Sequence, residues 1–181
     1  MFLRLVPFSC IYVNNADVLF FEVPLIIMTK LSNEDLRQAI ELLFFAYRDF
    51  TGEADAILEE FGFGRAHHRV IYFVGRNSGI TVSQLLVILK ITKQSLARVL
   101  GQLIDEGFVE QIADTKDRRR RLMTLTNKGT QLEERLTASQ SERIVRALEG
   151  LAPESIDGFR HVLRGIINEE DRERVEAFFQ P

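Results

Sequence analysis

The sequence predicts a mainly α-helical chain with one small β-hairpin, on three observations. Apolar residues recur at helical spacing from Ser32 onward. Two threonines, Thr81 and Thr92, each start a short helix, with a turn between the two. Directly after them, a polar tip rich in arginine separates two runs that read as strands, residues 108–112 and 121–126.

The elements follow in chain order. Ser32 reads as an N-cap, and Leu36, Ile40, Leu43, Phe44 and Tyr47 follow on one helical face. Thr51-Gly52 reads as an interruption, after which residues 54–61 make a further turn or two and stop at Gly62. The next helix spans residues 65–76, turns Val70, Phe73 and Val74 inward, and ends at Asn77-Ser78-Gly79. Thr81-Val82-Ser83-Gln84 is a capping box: the threonine hydroxyl accepts from the third helical N–H and Gln84 reaches back to the cap. That helix carries Leu85, Leu86, Ile88 and Leu89. Lys90-Ile91 forms a short turn, and Thr92 caps a helix that buries Leu96, Val99, Leu100 and Leu103. Gly107 supplies the left-handed residue that closes it. Strand, tip (residues 113–119) and returning strand complete the hairpin. Two helices at a short turn followed by such a hairpin define a winged helix-turn-helix.

Thr126 caps a long helix running toward Glu149, anchored by Leu132, Leu136, Ile144, Val145 and Leu148. Pro153 opens another near its first position. It carries Ile156, Phe159, Val162, Leu163 and Ile166, and Val175, Phe178 and Phe179 follow in a further turn. No internal repeat or low-complexity tract interrupts this order.

Composition sets the outer bounds. A chain of 181 residues that is 46% hydrophobic suits one globular domain, or one small domain with a second element wrapped around it. The single cysteine, Cys10, excludes a disulfide framework and a cysteine-rich zinc site. Residues 1–28 hold 20 apolar residues, but Asn14, Asn15, Asp17 and Glu22 break the run. No stretch approaches the roughly 20 residues that span a bilayer. Met28 therefore reads as the initiator, with residues 1–27 an over-extended reading frame and 154 residues remaining. Neither secretion nor a membrane partner is expected, and the localisation expected is cytoplasmic.

A net charge of −3, from 23 basic and 26 acidic residues, argues against a nucleic-acid binder when taken whole. Its distribution points the other way. Residues 81–128 hold nine basic residues and five acidic ones, a balance of +4, so the remainder carries 14 against 21, or −7. Within this basic module, the exposed face of the second helix offers Lys93, Gln94, Ser95, Arg98 and Gln102. Its first turn is the part that enters the major groove in helix-turn-helix docking. Glutamine suits adenine, arginine and lysine suit guanine, and serine suits either. A solvated helix face would look similar, so the hairpin tip decides. Lys116, Arg118, Arg119, Arg120 and Arg121 place five cations within six residues. Four consecutive arginines repel one another unless they meet an anion, and arginines entering a minor groove gain from its negative potential. Asp117, two residues before Arg119, is spaced to hold that guanidinium ready.

These residues resemble the MarR family of transcriptional regulators over about residues 63–135. The likeness runs through residues 86–91, 92–102, then Leu103-Ile104-Asp105-Glu106-Gly107-Phe108-Val109, Asp114-x-x-Asp117-Arg118-Arg119, and Leu125-Thr126-Asn127-Lys128-Gly129. Residues 63–76, with His67-His68, and residues 91–96 are similar to the PetP-type branch of that family. The resemblance implies that Arg119 enters the minor groove with Asp117 as its orienting partner. It implies that Lys93, Gln94, Ser95 and Arg98 reach the major groove or its phosphates. It also implies that residues 32–50, 139–149 and the C-terminal segment form a two-fold dimer interface. The expected organisation is N-terminal dimerisation helices at 28–62, a winged helix-turn-helix DNA-binding domain at 63–126, and a C-terminal linker and dimerisation helices at 127–181. Gly101 departs from the pattern, standing where a longer polar residue is usual; close packing is the expected reason, at a cost of about 1 kcal/mol relative to Ala.

Other chemistries are set aside. His67 and His68 are adjacent and point to different sides, so with His161 they make no metal face; one of them lining an effector pocket is the alternative. Gly62-Phe63-Gly64 has neither the preceding strand nor the third glycine of a dinucleotide loop. Cys10 lies outside the first helix, which argues against thiol sensing. The expectation is a homodimeric regulator of bacterial type that binds double-stranded DNA at a pseudo-palindromic operator. It needs no cofactor, is not an enzyme, and takes at most a small-molecule effector. The alternative is a winged-helix scaffold whose arginine-rich wing meets an acidic protein.

Overall fold

The computed structural model describes residues 31–115, 117 and 120–177. The chain divides into two units between Ala39 and Ile40. In the first, the Ser32 hydroxyl accepts from the Asp35 N–H at 3.1 Å, while the Asp35 carboxylate accepts from the Ser32 N–H at 2.8 Å. This reciprocal cap starts α1 (Asn33–Glu59).

In the second unit α1 continues without the break expected at Thr51-Gly52. The Thr51 hydroxyl donates to the Tyr47 and Arg48 carbonyls, both at 3.1 Å, which satisfies it inside the helix. Thr51, Ala54 and Leu58 are all buried, so their shared face carries the helix through a glycine of poor propensity. Glycine weakens a helix but does not end one whose next turn is packed.

Helix α2 (Arg65–Arg76) buries Val70, Ile71 and Val74, and Phe73 packs at the edge of the core. It ends where the Asn77 side-chain amide and backbone N–H both donate to the Phe73 carbonyl. Strand β1 (Ile80–Thr81) follows, a pairing too short for periodicity to announce. Helices α3 (Val82–Leu89) and α4 (Lys93–Asp105) form the helix-turn-helix, with Lys90 in the left-handed region at φ +50° in the turn. Both expected caps are present: Gln84 N–H donates to Thr81 Oγ1 at 3.3 Å, and Ser95 N–H to Thr92 Oγ1 at 3.1 Å. Helix α4 closes at Gly107, φ +76°, where Phe108 N–H reaches the Leu103 carbonyl and Gly107 N–H the Ile104 carbonyl. That pair of bonds is the Schellman stop.

Strands β2 (Val109–Ala113) and β3 (Arg121–Leu125) make the wing, and β1 adds to β3 for an antiparallel order β1-β3-β2. Val109 faces Leu125 and Ala113 faces Arg121 in register. Phe108, expected as the first strand residue, instead lies fully in the core, ringed by Phe61 and Phe63 in edge-on contacts. Helix α5 (Asn127–Leu148) starts at the Thr126 cap and crosses Phe108 so closely that a Cβ at Gly129 would run into the Phe108 carbonyl oxygen. It then packs along α2, and its polar groups clasp α1, where Ser139 and Arg143 both bond Glu53, and the turn after it, where Arg135 pairs with Glu60.

Helices α6 (Pro153–Ile166) and α7 (Glu169–Ala177) complete the described chain; Phe178 and Phe179 lie outside it. Helix α6 buries none of its residues. The core instead gathers α1, α2, α3, α4, the sheet and α5 around Leu58, Ile71, Leu85, Leu103 and Met123.

Candidate nucleic-acid interface

Helix α4 divides cleanly. Leu96, Val99, Leu100 and Leu103 are buried, which fixes its roll on the core and leaves Lys93, Gln94, Ser95 and Arg98 in solvent. Thr92 does more than cap: its hydroxyl donates to Ser95 Oγ at 2.9 Å and accepts from the Ser95 N–H. The serine is thereby oriented with its own proton unspent. Lys93, Gln94 and Arg98 make no hydrogen bond or ion pair among the described residues, so a ligand meets them without an internal competitor.

Gln102 differs. It is half-buried, its Oε1 lies 2.9 Å from His67 Nε2, and its amide nitrogen donates to Glu106 at 3.0 Å. Its hydrogen-bonding capacity is engaged within the molecule, at the end of α4 away from the first turn. Gly101 is not closely packed either: a Cβ there meets nothing within 4 Å, so packing does not explain the glycine.

In the wing, Lys116, Arg118 and Arg119, and with them the expected Asp117–Arg119 pairing, lie outside the described residues. The flanking positions are ordered by their backbone. Asp114 N–H donates to the Arg120 carbonyl at 3.1 Å, and Arg120 N–H to the Asp117 carbonyl at 2.9 Å, which closes the tip. The Arg120 guanidinium stands 3.5 Å from the Asp114 carboxylate, which is only 12% exposed. Arg121 is exposed at the start of β3. Asp114 is thus a wing-orienting acid that spacing from Asp117 alone does not reveal.

A cavity of about 650 Å³ opens among α1, α2 and α5. Tyr47, Phe50, Tyr72 and Phe73 give it aromatic walls, and Arg65, Arg69 and His68 give it cationic ones. Arg69 donates to the Tyr47 hydroxyl at 3.2 Å, and Arg65 lies over the Tyr47 ring while pairing with Asp55 at 2.8 Å. Burial holds the His68 imidazole below its usual pKa, against the pull of Asp55 and Glu133. Of the two adjacent histidines, His68 lines this cavity and His67 does not. No group of three or more metal-ligating side chains occurs among the described residues, and none of their helices is long and apolar enough to cross a membrane.

The fold and the exposed face together define a winged helix-turn-helix protein with a cationic wing. Residues 61–120 match the model of the MarR family. The chain is 46% identical over 138 residues to the HTH-type transcriptional regulator PetP of Rhodobacter capsulatus, covering 76% of this chain and 83% of that one. This chain belongs to the MarR family of transcriptional regulators. Among solved structures, it is similar to a MarR transcriptional regulator from Methanosarcina mazei at TM-score 0.56 and 28% identity, over 72% of this chain and 91% of that one. Streptococcus pneumoniae FabT, solved in complex with DNA, matches at TM-score 0.65 and 19% identity, over 73% of this chain and 94% of that one, and shows the shared fold.

Proposed function

We propose that this regulator binds double-stranded DNA as a homodimer at a pseudo-palindromic operator, with α4 in the major groove and the wing over the minor groove. The observation that carries this is the exposed face of α4, where Lys93, Gln94 and Arg98 stand unengaged and Ser95 keeps its own hydroxyl proton to donate, on a helix whose opposite face is locked into the core. The sequence of the wing adds Lys116, Asp117, Arg118, Arg119, Arg120 and Arg121 to the contact set. Gln102 is left out of the contact set because His67 and Glu106 already hold it. The solved DNA complex of a protein with this fold supports the reading.

The reading domain is residues 63–126. Residues 28–62 and 127–181 supply the dimer. Support for the dimer is the exposed apolar surface: Ile40, Leu43 and Phe44 on α1, and Phe159, Val162 and Ile166 on α6, all stand in solvent in the single chain. Clustered apolar residues of this size mark an interface. The cavity suits a small, flat, anionic effector, stacked on the tyrosines and met by Arg65 and Arg69. An effector acts there by favouring one spacing of the two reading heads over another.

Two substitutions on α4 test the reading. Gln94→Ala relaxes preference at one base position, a change of about 1–3 kcal/mol between sequences. Arg98→Ala weakens binding to all duplexes alike if it meets phosphate. Sequence-resolved binding assays distinguish the two. A Gln94 variant with an unaltered preference profile removes that residue from direct readout.

A further inference from the structure

The bond between His67 and Gln102 joins the entry of α2 to the last turn of the recognition helix, and its direction is fixed by its surroundings. His67 is the third residue of α2, and its Nδ1 accepts the Gly64 N–H at 3.1 Å. A backbone N–H is a donor only, so the ring proton sits on Nε2. That nitrogen therefore donates to Gln102 Oε1 at 2.9 Å, which turns the Gln102 amide nitrogen toward Glu106 at 3.0 Å. The ring also stacks on buried Phe63, with centroids 4.7 Å apart and planes 12° from parallel. Gln102 stands four residues after Arg98 and seven after Ser95, on the same stripe of α4. Whatever holds Gln102 adds a polar anchor to the roll that the buried face gives that stripe.

We propose that His67 is a positioning residue for DNA reading: through Gln102 it steadies the last turn of α4, adding to the hold of the buried core residues on that helix. The inference rests on the DNA-binding reading above. Without the bond, Gln102 and Glu106 lose their tie to α2, and the last turn of α4 is held by its apolar face alone. The expected consequence is a loss of discrimination, because a loosened helix keeps its phosphate contacts while placing Gln94 and Ser95 less sharply.

The test uses the full chain and two duplexes, the sequence that the wild-type protein enriches from a random pool and a shuffled version of it. The ratio of the two affinities is measured for the wild type and two variants at one pH. His67→Gln keeps an acceptor for the Gly64 N–H, as glutamine does in a capping box, and a donor for Gln102, and it preserves the ratio. His67→Phe keeps the stack on Phe63 but makes neither bond, so its ratio falls by about fivefold, the worth of roughly one net hydrogen bond. A His67→Phe ratio equal to that of the wild type, or a His67→Gln ratio as low as that of His67→Phe, overturns the role of His67 and leaves DNA binding standing. Failure of the wild type to enrich any sequence overturns both.

Discussion

Gly129 shows how much one missing side chain decides. It sits in the first turn of α5, where any Cβ meets the Phe108 carbonyl oxygen, and Phe108 is packed at the centre of the aromatic cluster. Neither partner has room: the carbonyl receives the Thr126 N–H, which joins the end of α4 to the start of α5. Gly129→Ala therefore destabilises the protein by about 3 kcal/mol, at the upper end for overpacking. Chemical denaturation measures it. Gly101→Ala provides the contrast, because open space surrounds that position and alanine favours helix by about 1 kcal/mol. At this scale the sequence reveals residue types and spacing but not engagement. Gln94 and Gln102 look alike in the sequence; a histidine 35 residues away distinguishes them.

Among the elements, the helix-turn-helix and wing are legible because their boundaries are written in local chemistry. Thr81 and Gln84, Thr92, Gly107 and Thr126 each specify a start or stop with atoms no more than a few residues away. The joins that depend on distant partners are harder to read. Helix α1 passes through Thr51-Gly52 because Ala54 and Leu58 find a core supplied by later parts of the chain. Strand β1 exists because β3 lies beside it, with Ile80 opposite Met123. The clasp between α1 and α5 is of the same long-range kind and is pH-sensitive. Ser139 first, and then Arg143, hold the Glu53 carboxylate below its usual pKa. A depressed carboxylate contributes stability above its unfolded pKa, roughly 4.3 for glutamate, and loses it as pH falls through the folded value. Glu53→Gln is thus less stable than wild type at neutral pH, and the two converge as pH falls through the depressed pKa of the folded carboxylate. Thermal unfolding across that range checks the convergence; a constant gap between the proteins contradicts the clasp.

For the whole molecule, the net charge of −3 conceals a separation between a +4 reading module and a −7 remainder. Such a separation draws phosphate to one face and limits non-specific attraction elsewhere. The apolar surface of α6 belongs to this scale as well, since a helix that buries none of its residues gains nothing from the single chain's core. Val162→Glu places a charge on that surface and is expected to shift the proposed dimer to monomer while leaving the winged domain folded. Sedimentation equilibrium reads the shift, and an unchanged dimer removes α6 from the interface.

DNA reading by α4 and the wing stands or falls on a salt titration of binding to the duplex enriched by the wild-type protein. Each phosphate met by a lysine or arginine releases counterions and steepens the slope of log affinity against log salt by about 0.9. A linear decline with a slope magnitude of several units is expected, made shallower by Arg98→Ala. Affinity that is indifferent to salt, or equal for the enriched and shuffled duplexes at every salt concentration, contradicts such reading.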